Sequence, residues 1–179
     1  MKTKFRPDPI IKEDHALIPV RNGDEWLWAK IDIEDLERVK KHKWFYHRDG
    51  DGRGNIQTKI DGKTKSLHGF ILKFDRLIDH EDCDNLNNRK LNLRKCSPTE
   101  NSTNRKRRRD ANCSYKGINF EIRTSKYRVR IGINGERINI GRYDSEEEAA
   151  KAYDIAARGL HGKFGRYNFP KAGEQSAII

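Results

Sequence analysis

Between residues 127 and 140, apolar and polar side chains alternate one by one on either side of an Asn134-Gly135 pair. The apolar positions are Tyr127, Val129, Ile131, Ile133, Ile138 and Ile140, and the positions between them include Arg128, Arg130, Arg137 and Asn139. A period of two is typical of a strand with one buried face, and Asn-Gly is a common type I′ hairpin turn. The sequence therefore predicts an antiparallel hairpin with one apolar and one basic face.

The residues after this hairpin predict a helix that covers it. Ser145 followed by Glu148 has the spacing of a capping box, and Gly162 follows as a stop signal. The apolar stripe between these two signals comprises Ala149, Tyr153, Ala156, Ala157 and Leu160. Because small residues let a helix lie close to a sheet, we expect Val129, Ile131, Ile138 and Ile140 to face it. The arginines of the hairpin then face outward.

The positive charge of the chain is concentrated in its middle. The 179 residues have a formal net charge of +11, and residues 102–130 contain 10 basic and 2 acidic groups. This excess indicates a polyanionic partner, and the run Arg105–Arg109 predicts a polar linker at 105–114 that is not packed. Three of its residues are expected to contact phosphates, namely Arg105, Arg107 and Arg108.

Composition excludes several classes of protein. Leu, Ile, Val and Phe together make up about a fifth of the chain, which suits small folded units better than one large enzyme core. No run of apolar residues is long enough to cross a membrane, and the N-terminus has no signal core, so a cytoplasmic protein is expected. Cys83, Cys96 and Cys113 are too widely spaced for a paired zinc motif, so no zinc is expected and the thiols should be reduced.

Residues 15–74 predict a small β-rich module with one short helix. Residues 34–43 suit a helix, and strands are expected from Trp44, over residues 56–60 and over residues 66–72. Gly50–Gly54 and Asp61-Gly62 supply the turns between the strands. The simplest role for this module is to support the segment that follows it.

Residues 78–104 contain a compound polar pattern. Asp79-His80 would end one strand, Leu91–Leu93 would form a second, and Ser97-Pro98-Thr99-Glu100 has the features of a helix start. Hydrolysis of a phosphodiester needs a base that deprotonates water and a hard cation that holds the phosphate. Histidine suits the first role, and carboxylate and amide oxygens suit the second.

This segment resembles the HNH endonucleases, in particular the His-Asn-Asn variety of phage and intron-encoded homing enzymes. The resemblance implies a ββα-metal module with His80 as general base, Asn92 orienting it through the backbone, and Asp79 and Asn101 binding Mg²⁺ or Mn²⁺. It also implies that His68 and Asn104 lie near the phosphate. Two positions depart from the family pattern, since Gly69 replaces the Arg that usually follows the first His and Cys83 replaces a turn Gly.

Residues 115–170 resemble the DNA-binding domain of plant ethylene-response-factor (APETALA/ERF) regulators. The resemblance runs from Tyr115-Lys116-Gly117-Ile118, through Ile140-Gly141-Arg142-Tyr143-Asp144, to Asn168-Phe169-Pro170. It implies a three-stranded antiparallel sheet that enters the major groove of duplex DNA with a helix packed behind it. The residues expected to contact DNA are Arg123, Lys126, Arg128, Arg130 and Arg137. Asn119 and Glu121 stand where plant members commonly have Arg, so the target sequence of a plant member is not transferred.

Together these features predict an α+β protein with a tail at 1–14, a nuclease module at 15–104, the linker at 105–114, an ERF-type domain at 115–170 and a tail at 171–179. The function expected is that of a homing-type DNA endonuclease, acting as a monomer in the cytoplasm, or in the host cytoplasm if phage-encoded. One alternative is a sequence-specific DNA-binding regulator with an inert nuclease module. An RNA-binding protein is disfavoured, because the major groove of A-form RNA is too narrow for a sheet.

Overall fold

The computed structural model describes residues 5–48, 54–107 and 111–178, which form two compact units, Met1–Lys95 and Cys96–Ile179. Both combine small sheets with short helices, which confirms the α+β class. The predicted Gly50–Gly54 turn and Arg108 fall largely or wholly outside the described residues.

The first unit is built on a six-stranded sheet in which β2 pairs with β1, β3 and β4. The strands are β1 (Ile10–Ile11), β2 (Ala16–Asn22), β3 (Glu25–Ile31), β4 (Trp44–Arg48), β5 (Gly54–Ile60) and β6 (Lys63–Ser66). Two further strands, β7 (Ile78–His80) and β8 (Leu93–Lys95), form a separate antiparallel pair. The helices of this unit are α1 (Leu36–Val39) and α2 (Leu67–Leu72).

One face of the six-stranded sheet forms the core of this unit. Ile18, Val20, Trp44 and Ile56 on the strands are at most 1% exposed. The same cluster contains Leu36 and Val39 from α1, Leu67 and Ile71 from α2, and Ile78 and Leu93 from the β7–β8 pair. Burial of this face therefore fixes the place of α2 and β7, which contain the histidines of interest.

Three elements of this unit differ from the sequence predictions. The helix expected at 34–43 is a 3₁₀ turn at Ile33–Asp35 followed by the single turn α1. The strand expected over 66–72 ends at Ser66, whose side chain accepts a hydrogen bond from Gly69 N and so caps α2. The strand expected at Leu91 starts only at Leu93, because residues Lys90–Asn92 form a 3₁₀ turn.

The second unit contains the predicted sheet and helix. Its elements are α3 (Pro98–Thr103), β9 (Ile118–Glu121), β10 (Lys126–Ile133), β11 (Glu136–Tyr143), α4 (Glu146–His161), β12 (Arg166–Tyr167) and β13 (Gln175–Ser176). The strand order β11-β10-β9 is antiparallel throughout, and Asn134 and Gly135 both have the positive φ of a type I′ turn. The hairpin prediction is confirmed.

Helix α4 buries Ala149, Tyr153 and Ala157 against Val129 and Ile131 of β10. Ser145 caps the helix by accepting from Glu148 N at 3.0 Å. Ala150 is fully buried in this core, whereas Ile138 and Leu160, both expected on the packed face, are 40% exposed. Those two residues lie at the edges of a narrow interface that small side chains fill.

Residues 96–107 and 111–114 belong to the second unit, and several of them pack within it. Thr103 Oγ1 donates to Phe164 O at 3.2 Å, Arg107 N donates to Ala177 O at 2.8 Å, and Cys113 is buried in the core beside α4. The expectation of an unpacked linker is therefore wrong at Arg107 and Cys113, whereas Arg105, Lys106 and Asn112 are exposed. The first compact unit ends at Lys95 rather than at 104, and the functional domain boundaries stay predictions.

Candidate functional site

Strand β7 carries Asp79 and His80, both less than 10% exposed. Asp79 pairs across the ladder with Arg94 of β8, and Arg94 Nε donates to Asp79 Oδ2 at 2.7 Å. The ring of His80 contacts a different group, formed by His68 and Asn88. Neighbouring residues of a strand thus have separate partners, as their opposite orientation requires.

The imidazole of His80 lies in a buried environment that favours its neutral form. Burial lowers the pKa of His80 below its usual value, and the hydrogen bond to Asn88 opposes this only in part. The ring of His68 stands edge-on to it, with ring centroids 5.3 Å apart. Burial, reinforced by repulsion from His80, lowers the pKa of His68 to about 4. His80 is therefore an uncharged imidazole at neutral pH, the form that can accept a proton.

Asn88 determines which nitrogen of His80 carries the proton. Asn88 Nδ2 donates to Asn85 O at 3.0 Å, so it is the amide oxygen, Oδ1, that faces His80 Nε2 at 3.3 Å. An oxygen acceptor at Nε2 selects the tautomer with the hydrogen on Nε2, which leaves Nδ1 as the basic nitrogen. Asn88 is 1% exposed and was not singled out from the sequence, although it lies in the Asn87-Asn88-Arg89 run that was.

Asn92 holds together the loop that follows His80. Its Oδ1 accepts from Asp82 N at 3.0 Å, and its Nδ2 donates to Asp82 Oδ1 at 2.9 Å and Asn87 O at 2.7 Å. Within the same loop, Cys83 N donates to His80 O at 2.9 Å. These contacts are the kind by which Asn92 would act on His80 through the backbone, and that role stays a prediction.

The two departures from the family pattern have distinct structural settings. Cys83 adopts φ 63°, the left-handed region that favours glycine, so the loop takes the expected turn at a conformational cost. At Gly69, an added Cβ would lie 2.7 Å from Ser66 Oγ and 3.0 Å from Phe74 O. A side chain at position 69 would therefore displace the Ser66 cap of α2.

Asn101 and Asn104 belong to the second unit. The helix α3 that carries Asn101 starts with the predicted capping box of Ser97 and Glu100. Asn104 is 2% exposed, and Arg166 Nε donates to both its Oδ1, at 2.8 Å, and its backbone oxygen, at 3.1 Å. This buried position does not suit the predicted contact between Asn104 and a phosphate. Because Asp79 and Asn101 lie in different units, their joint binding of a metal stays a prediction.

The donor groups that the chain offers determine whether it can hold a Mg²⁺ ion. Within residues 5–48, 54–107 and 111–178, no group of three or more His, Cys, Asp and Glu side chains is placed to hold an ion. Mg²⁺ commonly takes only one or two carboxylates and completes its shell with water and substrate phosphate oxygens. Asp79 together with an amide oxygen fits that requirement, although Arg94 already occupies one Asp79 oxygen.

The outward face of the C-terminal sheet carries an Arg-Glu-Arg cluster. Glu121 on β9 forms ion pairs with two arginines. Its Oε1 lies 2.5 Å from Arg128 Nη1, and its Oε2 lies 2.7 Å from Arg142 Nε. Arg128 and Arg142 face each other across the β10–β11 ladder. Arg128 Nε is buried and has no hydrogen-bond partner among the described residues. Both arginines lower the pKa of Glu121, with Arg142 contributing more.

Arg142 was missed because of a β-bulge. The register of β10 and β11 shifts between Val129 and Arg130, so that Arg130 pairs with Asn139 while Val129 pairs with Gly141. The extra residue, Ile140, reverses the alternation along β11 and turns Arg142 outward. Strict alternation along β11, continued from Ile138 and Ile140, would have placed Arg142 on the packed side of the sheet.

The remaining predicted contacts differ in their availability. Arg130 and Arg137 line a groove of about 410 Å³ on the outward side of the sheet, and Arg123 and Arg105 are exposed. Lys126 pairs with Asp144 at 2.9 Å. Arg107 donates through Nη1 to Cys113 O at 3.1 Å, so it is held by the protein itself rather than exposed for phosphate.

No helix in the described ranges has the length and hydropathy that a membrane span requires. The sequence was also compared with known proteins. No family model matches it, and no solved structure matches it significantly.

The chain is 28% identical over 149 residues to a protein of Acanthamoeba polyphaga mimivirus named an uncharacterized HNH endonuclease. The match covers 79% of this chain and 74% of the viral protein. A continuous match of that extent necessarily includes the middle of the chain, and with it β7, β8 and the loop between them.

Shorter stretches match plant proteins. An ethylene-responsive transcription factor of Arabidopsis thaliana is 48% identical over 42 residues, which are 24% of this chain and 22% of that protein. Dehydration-responsive element-binding protein 2A of the same plant is 34% identical over 65 residues, 35% of this chain and 19% of that protein. The chain spans less than a third of the plant proteins that it matches.

Proposed function

We propose that this chain is a metal-dependent endonuclease that hydrolyses phosphodiester bonds of duplex DNA and is directed to its target by the C-terminal sheet. The observation that carries the proposal is the buried, neutral His80, whose Nε2 is held by Asn88. It lies in a stretch that is similar to a viral protein named as an HNH endonuclease. The similarity to plant transcription factors supports DNA as the substrate.

In the proposed reaction, His80 Nδ1 accepts a proton from a water molecule, whose oxygen attacks the phosphorus. The bond from phosphorus to the leaving sugar oxygen breaks, and that oxygen is protonated by solvent. Asn88 keeps the hydrogen on Nε2, so the basic nitrogen is always Nδ1. Asn92 holds the loop from Asp82 to Asn87 that supports Asn88. These steps need no charged histidine at neutral pH, which agrees with the lowered pKa of His80.

Asp79 and Asn101 are proposed to hold a Mg²⁺ or Mn²⁺ ion, which would neutralise charge on the phosphate and on the leaving oxygen. Arg94 keeps the Asp79 side chain in place through its ion pair, because Asp79 lies directly opposite it in the ladder. The ring of His68 contacts that of His80 edge-on and restricts its orientation, and a contact between His68 and the phosphate is proposed as well.

On the C-terminal sheet, Arg128, Arg130, Arg137 and Arg142 are proposed to face the major groove. Arginine can bond guanine with two hydrogen bonds, whereas lysine mainly contacts phosphate. Glu121 holds two of the arginines in fixed positions before DNA binds. Arginines held by a shared carboxylate cannot reorient independently. We therefore expect this sheet to prefer a DNA sequence different from that of the plant proteins.

A second candidate is a DNA-binding regulator with an inert nuclease module. The ion pair between Asp79 and Arg94 favours it, because the predicted metal ligand already has a cationic partner. The two candidates are separated by incubating the full chain with supercoiled plasmid and Mg²⁺ or Mn²⁺, with EDTA as the blank. A nuclease relaxes or linearises the plasmid only when the metal is present. A regulator retards the plasmid on a gel and leaves it intact.

A further inference from the structure

The six-stranded sheet of the first unit has a second face, opposite its core, on which side chains from four adjacent strands form a row. Trp26 of β3 pairs with Arg21 of β2, Arg21 pairs with Phe45 of β4, and Phe45 pairs with Gln57 of β5. Residues that pair directly in a ladder lie on the same face, so these four side chains cross the sheet side by side. Adjacent strands are about 4.8 Å apart, which makes the row about 14 Å long.

Aromatic surface in this row is open. Phe45 is 47% exposed, and Arg21 lies over the ring of Trp26 at 5.8 Å from its centroid. Two shallow depressions of about 490 and 520 Å³ flank Phe45, and Phe45 and Lys43 line both of them.

The linings of both depressions are basic. Their cationic residues are Arg6, Arg21, Lys41, Lys43 and Lys59, and neither lining contains an Asp or Glu. A carboxylate outside the linings, that of Asp24, lies 3.8 Å from Arg21, and 97% of the Asp24 side chain is exposed. An open aromatic ring among cations, in a lining without carboxylates, is complementary to a ligand with flat apolar rings and a polyanionic backbone.

We propose that this face, defined by Trp26, Arg21, Phe45 and Gln57 with the surrounding lysines, binds single-stranded DNA. Bases of an unpaired strand would stack on Phe45 and Trp26, while Lys43 and Lys59 contact the phosphates. A duplex buries its base faces within its own stack, so it offers nothing to an aromatic ring on a flat sheet. The choice of DNA over RNA rests on the duplex-DNA substrate of the proposed function. The evidence for the binding site itself is the geometry of the sheet and does not depend on that function.

The test is fluorescence anisotropy of a labelled oligothymidylate of about twelve nucleotides with the full chain. It is run in EDTA, so that the outcome does not depend on cleavage, and with excess unlabelled duplex, so that duplex-binding surfaces are occupied. Phe45→Ala is expected to weaken binding about 5- to 100-fold. Lys43→Gln is expected to reduce the slope of log K against log salt by about 0.7, the value for one lost phosphate contact on a single strand.

Matched controls lie in the same unit but off this face. Ile33→Ala removes an apolar side chain of similar exposure, 41%, and Lys12→Gln removes an exposed charge. Both are expected to bind as the wild type does. Equal affinities for Phe45→Ala and Ile33→Ala would overturn the proposal, and so would complete loss of the signal on adding duplex. Tighter binding of the matching RNA oligomer, with the same dependence on Phe45, would overturn the assignment to DNA.

Discussion

Asn88 Oδ1 lies 3.3 Å from His80 Nε2, and both residues are more than 90% buried. This hydrogen bond assigns the proton of His80 to Nε2 and thereby selects Nδ1 as the basic nitrogen. Asn88 also receives backbone support, because Asn88 N donates to Lys30 O at 2.8 Å on β3. The orientation of His80 therefore depends on the core sheet as well as on its own strand.

Asn88 is expected to act as a positioning residue for His80. Asn88→Ala should lower kcat about 10- to 100-fold, as when other residues that orient a reacting group are lost. Because the hydrogen bond that His80 donates to Asn88 raises the pKa of His80, this variant should also move the rise of kcat/KM with pH to lower pH. Asn88→Asp places a negative charge beside the His80 ring and should move the rise of kcat/KM to higher pH. Opposite shifts in the two pH profiles support the role, whereas unchanged profiles would contradict it.

His68 is expected to make the folded state sensitive to acid. Its pKa is about 4 in the folded protein and about 6.5 when unfolded, so the unfolded chain binds the proton first as pH falls. The contribution of neutral His68 is fully present above pH 6.5 and is lost between about pH 6.5 and 4, by up to about 3 kcal/mol.

This loss is measured by urea unfolding at neutral pH and near pH 4.5, for the wild type and for His68→Gln. The variant should lose less stability than the wild type over the same interval, because its side chain does not titrate. His15→Gln is the matched control, since His15 is a partly exposed histidine elsewhere in the unit. Equal losses for wild type and His68→Gln would show that His68 does not titrate as proposed.

Glu121 is expected to limit non-specific DNA binding by the C-terminal sheet. Glu121→Gln releases Arg128 and Arg142 to contact phosphate, so affinity for random duplex should rise and the salt slope should steepen by up to about one unit per new contact. Preference among selected sequences should change as well, because both arginines lose a fixed partner. Anisotropy titrations over a range of salt measure both effects. Glu136→Gln, on the same sheet, removes an exposed carboxylate that has no ion pair with any residue the structure describes, and it should cause a smaller change. Identical behaviour of the two variants would refute this role.

The stretch from Cys96 to Asn104 is expected to be part of the folded C-terminal unit. Arg166 is 2% exposed, and a fragment of residues 112–179 would remove Asn104, the acceptor of its Nε. Leaving the Nε donor of this buried guanidinium unsatisfied costs about 1–3 kcal/mol, so this fragment should unfold at lower urea than a fragment of residues 96–179. Asn104→Ala in the longer fragment should show part of the loss. Coincident unfolding curves for the two fragments would place the start of the unit at residue 112.

Local patterns in the sequence predicted those parts of the fold that local patterns determine. The β10–β11 hairpin, the capping of α3 and the end of β7 at His80 each depend on a few neighbouring residues. Helix α2 was missed because its six residues are too few for a helical period, and its position follows from the burial of Leu67 and Ile71. Packing of Arg107 was missed because its partner, Ala177, is distant in sequence.

In the candidate site, too, residues that belong to a local pattern were predicted, and residues that depend on distant contacts were missed. His80, Asp79 and Asn92 were found by spacing, because their pattern lies within one segment of the chain. Asn88, Arg94 and Arg142 were missed, since their importance depends on which side chain lies across a strand or a bulge. The placement of Asn101 beside Asp79 was inferred from a family pattern and stays a prediction.

The proton acceptor is the centre of the proposed mechanism, and a plasmid cleavage time course with Mg²⁺ tests it most directly. Wild type, His80→Ala and the control His15→Ala are compared at equal occupancy of DNA, which is checked by gel retardation. The account predicts that His80→Ala cleaves about 10²- to 10⁴-fold more slowly than wild type, while DNA affinity and the activity of His15→Ala are retained. Cleavage by His80→Ala within about threefold of wild type, or no cleavage by wild type with either Mg²⁺ or Mn²⁺, would contradict it.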